Sequence, residues 1–199
     1  MIIIGICGRS GSGKTTLTDF FAQSGYTVIN ADRVSREVTK AGTPCADELK
    51  IFFGGRIINS DGILDRKLLF DKAMKNPKNR AVLNKITHKY ILAEIDKRIQ
   101  NSESNLIFID APLLFESGLD KKCHFTVCVI ADDDDCTERI LKRDGISLSD
   151  SRIRLSAQIN NDELSKKCDF TIKNSKSVEE LFCKAKALLD EIKNRQKSF

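Results

Sequence analysis

Eight residues constrain this chain more than any other stretch: Gly8-Arg9-Ser10-Gly11-Ser12-Gly13-Lys14-Thr15, a glycine, four residues, then Gly-Lys-Thr. The run before it, Ile2-Ile3-Ile4-Gly5-Ile6-Cys7, is apolar without alternation, which predicts a parallel strand covered on both faces. Residues 15–22 predict a helix. Strand, glycine loop and helix form the context in which successive backbone N–H groups approach phosphate oxygens and the positive end of a helix dipole faces them. Gly8, Gly11, Ser12, Gly13, Lys14, Thr15 and Thr16 are the candidate nucleotide-binding residues. In this setting Lys14 reaches the terminal phosphates and the Thr15 hydroxyl ligates a magnesium ion. A dinucleotide-binding loop is excluded, because Thr16 stands where a third glycine is needed.

A second strand over residues 26–29 completes a βαβ unit and ends at Asn30-Ala31-Asp32. Ligands of such sheets lie beyond the carboxyl ends of the strands, so Asp32 is expected at the crevice of the phosphate loop. A carboxylate there can take the proton of an attacking hydroxyl; the alternative is that Asp32 caps the helix predicted over residues 33–40. The third core strand, Leu106-Ile107-Phe108-Ile109-Asp110, ends in a carboxylate placed to steady magnesium or its water shell. The segment from Ala111 to Gly118 follows at the crevice end, where substrate loops belong.

Residues 125–130 predict a fourth strand, followed by Asp132-Asp133-Asp134-Asp135, read as capping and solvating a helix start rather than as a cation site. That helix carries Arg139 and Arg143 on one face, either as a phosphate clamp or as a solvated surface. Residues 144–165, with Arg152, Arg154 and Gln158, have the composition of a mobile cover. A short strand over 170–172 and a helix opened by Ser177 close the chain, with Val178, Leu181, Phe182, Ala185, Leu188, Leu189 and Ile192 expected against the core. Residues 33–104 are a charged, mostly helical excursion, punctuated by Gly42-Thr43-Pro44, Gly54-Gly55, Asp61-Gly62 and Asn76-Pro77.

A chain of 199 residues buries one good core with inserted subdomains. No stretch approaches eighteen apolar residues, and glycines and Arg9 interrupt the N-terminal run, so neither a membrane span nor a signal peptide is expected and the chain reads as cytoplasmic. Seven scattered cysteines, never spaced as Cys-x-x-Cys, read as reduced thiols, and with His88 and His124 as the sole histidines a zinc site is a weak reading. A net charge of +5 suits polyanionic ligands but is too dilute to argue for nucleic acid. Small molecules are thus the expected partners, and the oligomeric state is open.

Taken in order, these motifs resemble the dephospho-CoA kinase family over nearly the whole chain. The likeness rests on Gly8 to Thr15, Asn30-Ala31-Asp32, Gly42-Thr43-Pro44, Asp61-Gly62-Ile63-Leu64-Asp65-Arg66, His88, Pro112-Leu113-Leu114-Phe115-Glu116, Arg139 with Arg143, Gln158, and Asp169 to Asn174. It implies a P-loop NTPase-type α/β fold: a parallel sheet flanked by helices (1–32, 105–138 and 168–199), a helical acceptor-binding region (33–104) and a lid (139–167). It implies transfer of phosphate from magnesium-ATP to the ribose 3′-hydroxyl of dephospho-CoA. Asp32 would be the base, Lys14 and Thr15 would serve phosphates and metal together with Asp110, and Arg139 and Arg143 would close from the lid. Arg66, His88, Leu113 and Glu116 would line or support the acceptor site, and Asn174 would lie near the adenine of ATP. Two departures stand out: Arg9-Ser10 replaces the usual Gly-Ile, and Lys89 replaces the proline that commonly follows the histidine. Two other readings remain: a different nucleoside or nucleotide kinase, and an ATP-binding switch without transfer.

Overall fold

The first strand, β1 (Ile2–Gly8), is buried along its whole length, as its unbroken apolar run requires. The computed structural model to which it belongs describes residues 1–59, 61–174 and 177–196. β1 runs parallel to β3 (Leu106–Asp110) on one side and to β4 (Phe125–Ile130) on the other. With β2 (Thr27–Asn30) and β5 (Phe170–Lys173) the sheet has the order β2-β3-β1-β4-β5. The pairing of Ile6 with Asp110 and of Gly8 with Val129 brings the carboxyl ends of β1, β3 and β4 to one edge. Because the chain runs from β1 to β2 on the β3 side and later crosses from β3 past β1 to β4, that edge is a switch point, where open α/β sheets bind ligands.

One face of the sheet packs on α1 (Lys14–Gln23) and α9 (Val178–Gln196). Leu17, Phe21, Leu181, Ala185, Leu188 and Ile192 meet Ile4, Ile6, Phe108, Val127 and Val129 there. Phe21 and Phe108 stack with centroids 4.0 Å apart. Val178, expected on this face, is 48% exposed, since it opens the helix before the first turn reaches the sheet. On the opposite face Leu114 and Cys123 come so close that a Cβ on Gly5 would lie 2.8 Å from each. Asp169 joins β4 to the approach of β5, its carboxylate accepting from the Thr126 N–H at 2.7 Å and from the Thr126 hydroxyl at 2.8 Å.

By its contacts the chain divides into two units, Met1–Val28 with Ser104–Phe199, and Ile29–Glu103. The first also holds α6 (Asp133–Asp144), α7 (Leu148–Ser156) and α8 (Asn161–Lys167). Leu155 of α7 packs with Ala131, Cys136 and Ile140, and Leu164 of α8 is buried, so this polar stretch carries its own apolar anchors.

The second unit is built from α2 (Ala31–Val38), α3 (Pro44–Phe53), α4 (Arg66–Ala73) and α5 (Pro77–Gln100) around Cys45, Leu49, Phe53, Ile57, Leu69 and Ile86. Its helices start where capping chemistry predicts, with Thr43, Asp65 and Asn76 each accepting a first-turn N–H. Asn76-Pro77 therefore opens α5 as well as closing α4. Lys89 sits in the middle of α5, where a proline would remove a helical hydrogen bond, and pairs with Glu48 at 3.0 Å. Tyr90 and Lys89 hold the Glu48 carboxyl below the usual range.

All seven cysteines are free, and burial pushes Cys45 up to about 11 and Cys123 up to about 12, leaving both as unreactive thiols. His124 is committed to the backbone, its Nδ1 accepting from Ile3 N–H at 3.0 Å. Among the described residues no helix is long and apolar enough to cross a membrane.

Candidate active site

The loop leaving β1 turns on two glycines with positive φ, Gly11 at 77° and Gly13 at 93°. Space demands glycine there as firmly as the backbone does: a Cβ on Gly13 would sit 2.1 Å from Asn174 Nδ2, and one on Gly11 2.5 Å from the Cys136 carbonyl oxygen. Gly13 is also the N-cap of α1, and no side chain caps that helix. Its first-turn N–H groups and the positive end of its dipole are thus offered to an anion.

Three side chains hold the loop from behind. Asn174, buried after β5, donates from Nδ2 to the Ser12 carbonyl at 2.8 Å. Arg139 on α6 donates to the Gly11 carbonyl at 3.1 Å and reaches the Asn174 carbonyl at 3.5 Å. Gln158, between α7 and α8, accepts from the Ser10 N–H at 3.0 Å. Arg9 belongs to the same assembly: only 8% exposed, it donates to Asp133 at 2.5 Å and to the Leu155 carbonyl at 3.0 Å.

Lys14 points along the loop to the end of β3, where its ammonium pairs with Asp110. Both are shielded, with side-chain exposures of 12% and 2%. Thr15 is exposed at the start of α1, and Thr16 is half-buried. A hydroxyl and a carboxylate are hard oxygen donors, the kind magnesium takes when nucleotide phosphates and water complete its shell. Among the described residues there is no group of three or more His, Cys, Asp and Glu that could hold a metal ion.

Arg139 and Arg143 share a face of α6, yet they have different partners. Arg143 is gripped by Asp144 through two bonds of 2.7 and 2.9 Å, and Arg154 donates to the same carboxylate at 2.6 Å. The Arg143 guanidinium holds Asp144 down to about 2. Leu113, 63% exposed, and Glu116 lie after β3 and border a cavity of about 110 Å³ that Gly8, Arg9 and Gln158 also line.

The remaining predicted site residues belong to the second unit. Asp32 is exposed in the first turn of α2, but it is not the cap: the helix starts at Ala31, and Asn30 accepts from the Arg33 N–H at 2.8 Å. The capping alternative for Asp32 is therefore corrected. Arg66 donates to the Thr39 hydroxyl at 2.8 Å and to the Arg36 carbonyl at 3.3 Å, fastening α4 to the end of α2. His88 is half-buried on α5. Sequence reasoning passed over Arg9 and Asp133 as site residues; a charge inside a glycine loop was the available signal, but nothing in the spacing announced its burial.

The sequence model of the dephospho-CoA kinase family matches residues 2–180. A dephospho-CoA kinase from Corynebacterium glutamicum is 35% identical over 198 residues, covering 98% of this chain and 99% of the relative. A crystal structure from Thermus thermophilus superposes with a TM-score of 0.84 at 29% identity, covering 96% of this chain and 97% of that one. A dephospho-CoA kinase from Campylobacter jejuni superposes with a TM-score of 0.71 at 25% identity, with 98% of both chains covered. With the motif order, the phosphate loop and a full-length match in agreement, the chain belongs to the dephospho-CoA kinase family.

Proposed function

We propose that the chain transfers the terminal phosphoryl group of ATP to the ribose 3′-hydroxyl of 3′-dephospho-CoA, giving coenzyme A and ADP. The observation that carries this reading is the braced loop ending in an uncapped helix start, with Lys14 beside it and Arg139 tied to its Gly11 carbonyl, in a chain whose family match runs from residue 2 to 180. The hydroxyl oxygen forms the new bond to the γ-phosphorus as the bond to the β-phosphate oxygen breaks, and the hydroxyl proton passes to Asp32, which follows the carboxyl end of β2. Lys14 and the loop N–H groups take the charge that spreads over the phosphoryl oxygens, with Arg143 closing on it from the lid and Arg139 holding the loop that presents the N–H groups. Thr15 and Asp110 would hold magnesium, which would supply neutralisation of the phosphate charge. Arg66, His88, Leu113 and Glu116 serve the acceptor, and Asn174 serves the loop before it serves adenine.

A coupled assay of ADP release against dephospho-CoA, adenosine, AMP and pantetheine tests this. Release is expected with dephospho-CoA well above the other three. Tight ATP binding with background release for every acceptor would favour a nucleotide switch, and preference for adenosine or AMP would favour another nucleotide kinase.

Arg143→Ala is expected to lower kcat more than it weakens ATP binding, because a clamp acts on charge that develops during transfer. Arg143→Lys should rescue only part of the loss, since a fork becomes a point charge. Equal losses in binding and rate would assign Arg143 to ground-state recognition.

The Asp144 pairing sets a pH expectation as well. Its pKa is depressed in the fold, so the stabilisation is complete above the ordinary carboxylate range and is lost as pH falls through about 2. The Arg143 tie should therefore stay intact from pH 5 to pH 8, and any activity change in that window must have another origin. Following the Asp144 carboxyl carbon by NMR across an acid titration checks this; a midpoint near 4 would show that the pairing does not form.

A further inference from the structure

We infer that Arg9, one of this chain's departures from its family pattern, is a positioning residue that locks the α7–α8 segment onto the phosphate loop and so builds one wall of the acceptor pocket. The inference rests on the kinase reading above and deepens it. One Arg9 nitrogen holds Asp133 at the start of α6 and another holds the Leu155 carbonyl at the end of α7. The next residue, Ser10, gives its N–H to Gln158 three positions after Leu155. Adjacent loop residues thus grip α7 and the turn that follows it. Farther along, Asn161 of α8 donates to the Ala131 carbonyl at 2.8 Å, closing the segment against the end of β4.

The burial of Arg9 is hard to explain by stability alone. Its Nε is buried without a partner among the described residues, and an unmet buried donor is a cost that a glycine would not carry. The position of the grip supplies the reason. Arg9 and Gln158 line the same cavity of about 110 Å³ as Leu113, Phe115 and Glu116, the segment proposed to meet the acceptor. Without the fork, Gln158 and the end of α7 lose a tie to the loop and the cavity loses a fixed wall. The nucleotide side, braced independently by Asn174 and Arg139, keeps its geometry.

Three variants test this: Arg9→Gly, which restores a glycine at that position, Arg9→Lys, and Asp133→Asn, whose side chain is 65% exposed and whose replacement is expected to leave folding intact. Arg9→Gly is expected to raise the KM for dephospho-CoA about tenfold, with ATP affinity within about twofold of wild type. Arg9→Lys should fall between, because one ammonium cannot serve both partners as a fork does. Asp133→Asn should shift the same constant in the same direction by less. Amide exchange of residues 155–160 should speed up in Arg9→Gly while that of α1 and α9 does not. If wild-type turnover is normal and the acceptor KM is unchanged in both Arg9→Gly and Asp133→Asn, the inference fails alone. Parallel losses for ATP and acceptor would equally overturn it, reducing Arg9 to a general brace of the loop. Absence of wild-type turnover with dephospho-CoA would instead overturn the kinase reading, and the acceptor wall with it.

Discussion

Replacing Asp32 by asparagine is expected to leave ATP affinity near wild type and to lower the rate at saturating dephospho-CoA by roughly 10²- to 10⁴-fold, the range for loss of a general base. The fold should not be the cause. Asn30, and not Asp32, satisfies the first-turn N–H of α2, and Asp32 is exposed, so the substitution leaves the cap and the packing untouched. Only the negative charge goes, and with it the group that orients the ribose hydroxyl and takes its proton. If the Asp32→Asn enzyme turned over at close to the normal rate, Asp32 would drop out of the chemistry and the search for the base would move to Asp110.

Lys14→Ala is expected to reduce transfer by on the order of 10²- to 10³-fold or more, through loss of a charge aimed at the phosphates. Here the structure adds a second consequence. The ammonium faces Asp110, whose side chain is 2% exposed, so its removal also takes a counter-charge from a buried carboxylate. A stability loss of up to about 3 kcal/mol is expected from that alone. The double variant Lys14→Ala with Asp110→Asn isolates the stability effect: chemical denaturation should show stability recovered relative to Lys14→Ala alone, because no buried carboxylate is left unpaired. If the double variant regained turnover, Lys14 would be serving the fold and not the phosphates.

The β1 strand ahead of the glycine loop and the apolar β3 ending in Asp110 were legible in the sequence because strands buried on both faces read as continuous apolar runs. The start of α2 was not. Asn30 and Asp32 are both good caps, and the choice lies in the extended backbone of Asn30, φ −86° and ψ 112°, which the residue types do not reveal. Arg139 and Arg143 were rightly placed on one face of a helix, but periodicity cannot say which neighbour each finds. Asp144, next in sequence, claims Arg143, whereas Arg139 reaches back to Gly11. The 144–165 stretch read as a cover because its apolar residues are too sparse to set a period: Leu155 and Leu164 are buried, whereas Leu148 and Ile153 are exposed.

The bond from Asn174 to the Ser12 carbonyl has a consequence for the peptide plane that it grips. A trans peptide holds its C=O and the N–H of the following residue in opposite directions with little freedom to twist. Fixing the Ser12 oxygen toward Asn174 therefore fixes the Gly13 hydrogen away from it, although glycine at that position could otherwise let the plane swing. Arg139 does the same one residue earlier, and the Ser12 hydrogen it sets accordingly meets the Arg9 carbonyl at 3.1 Å. The orientation of the amides in this glycine-rich loop is thus imposed by side chains more than a hundred residues away, before any phosphate arrives.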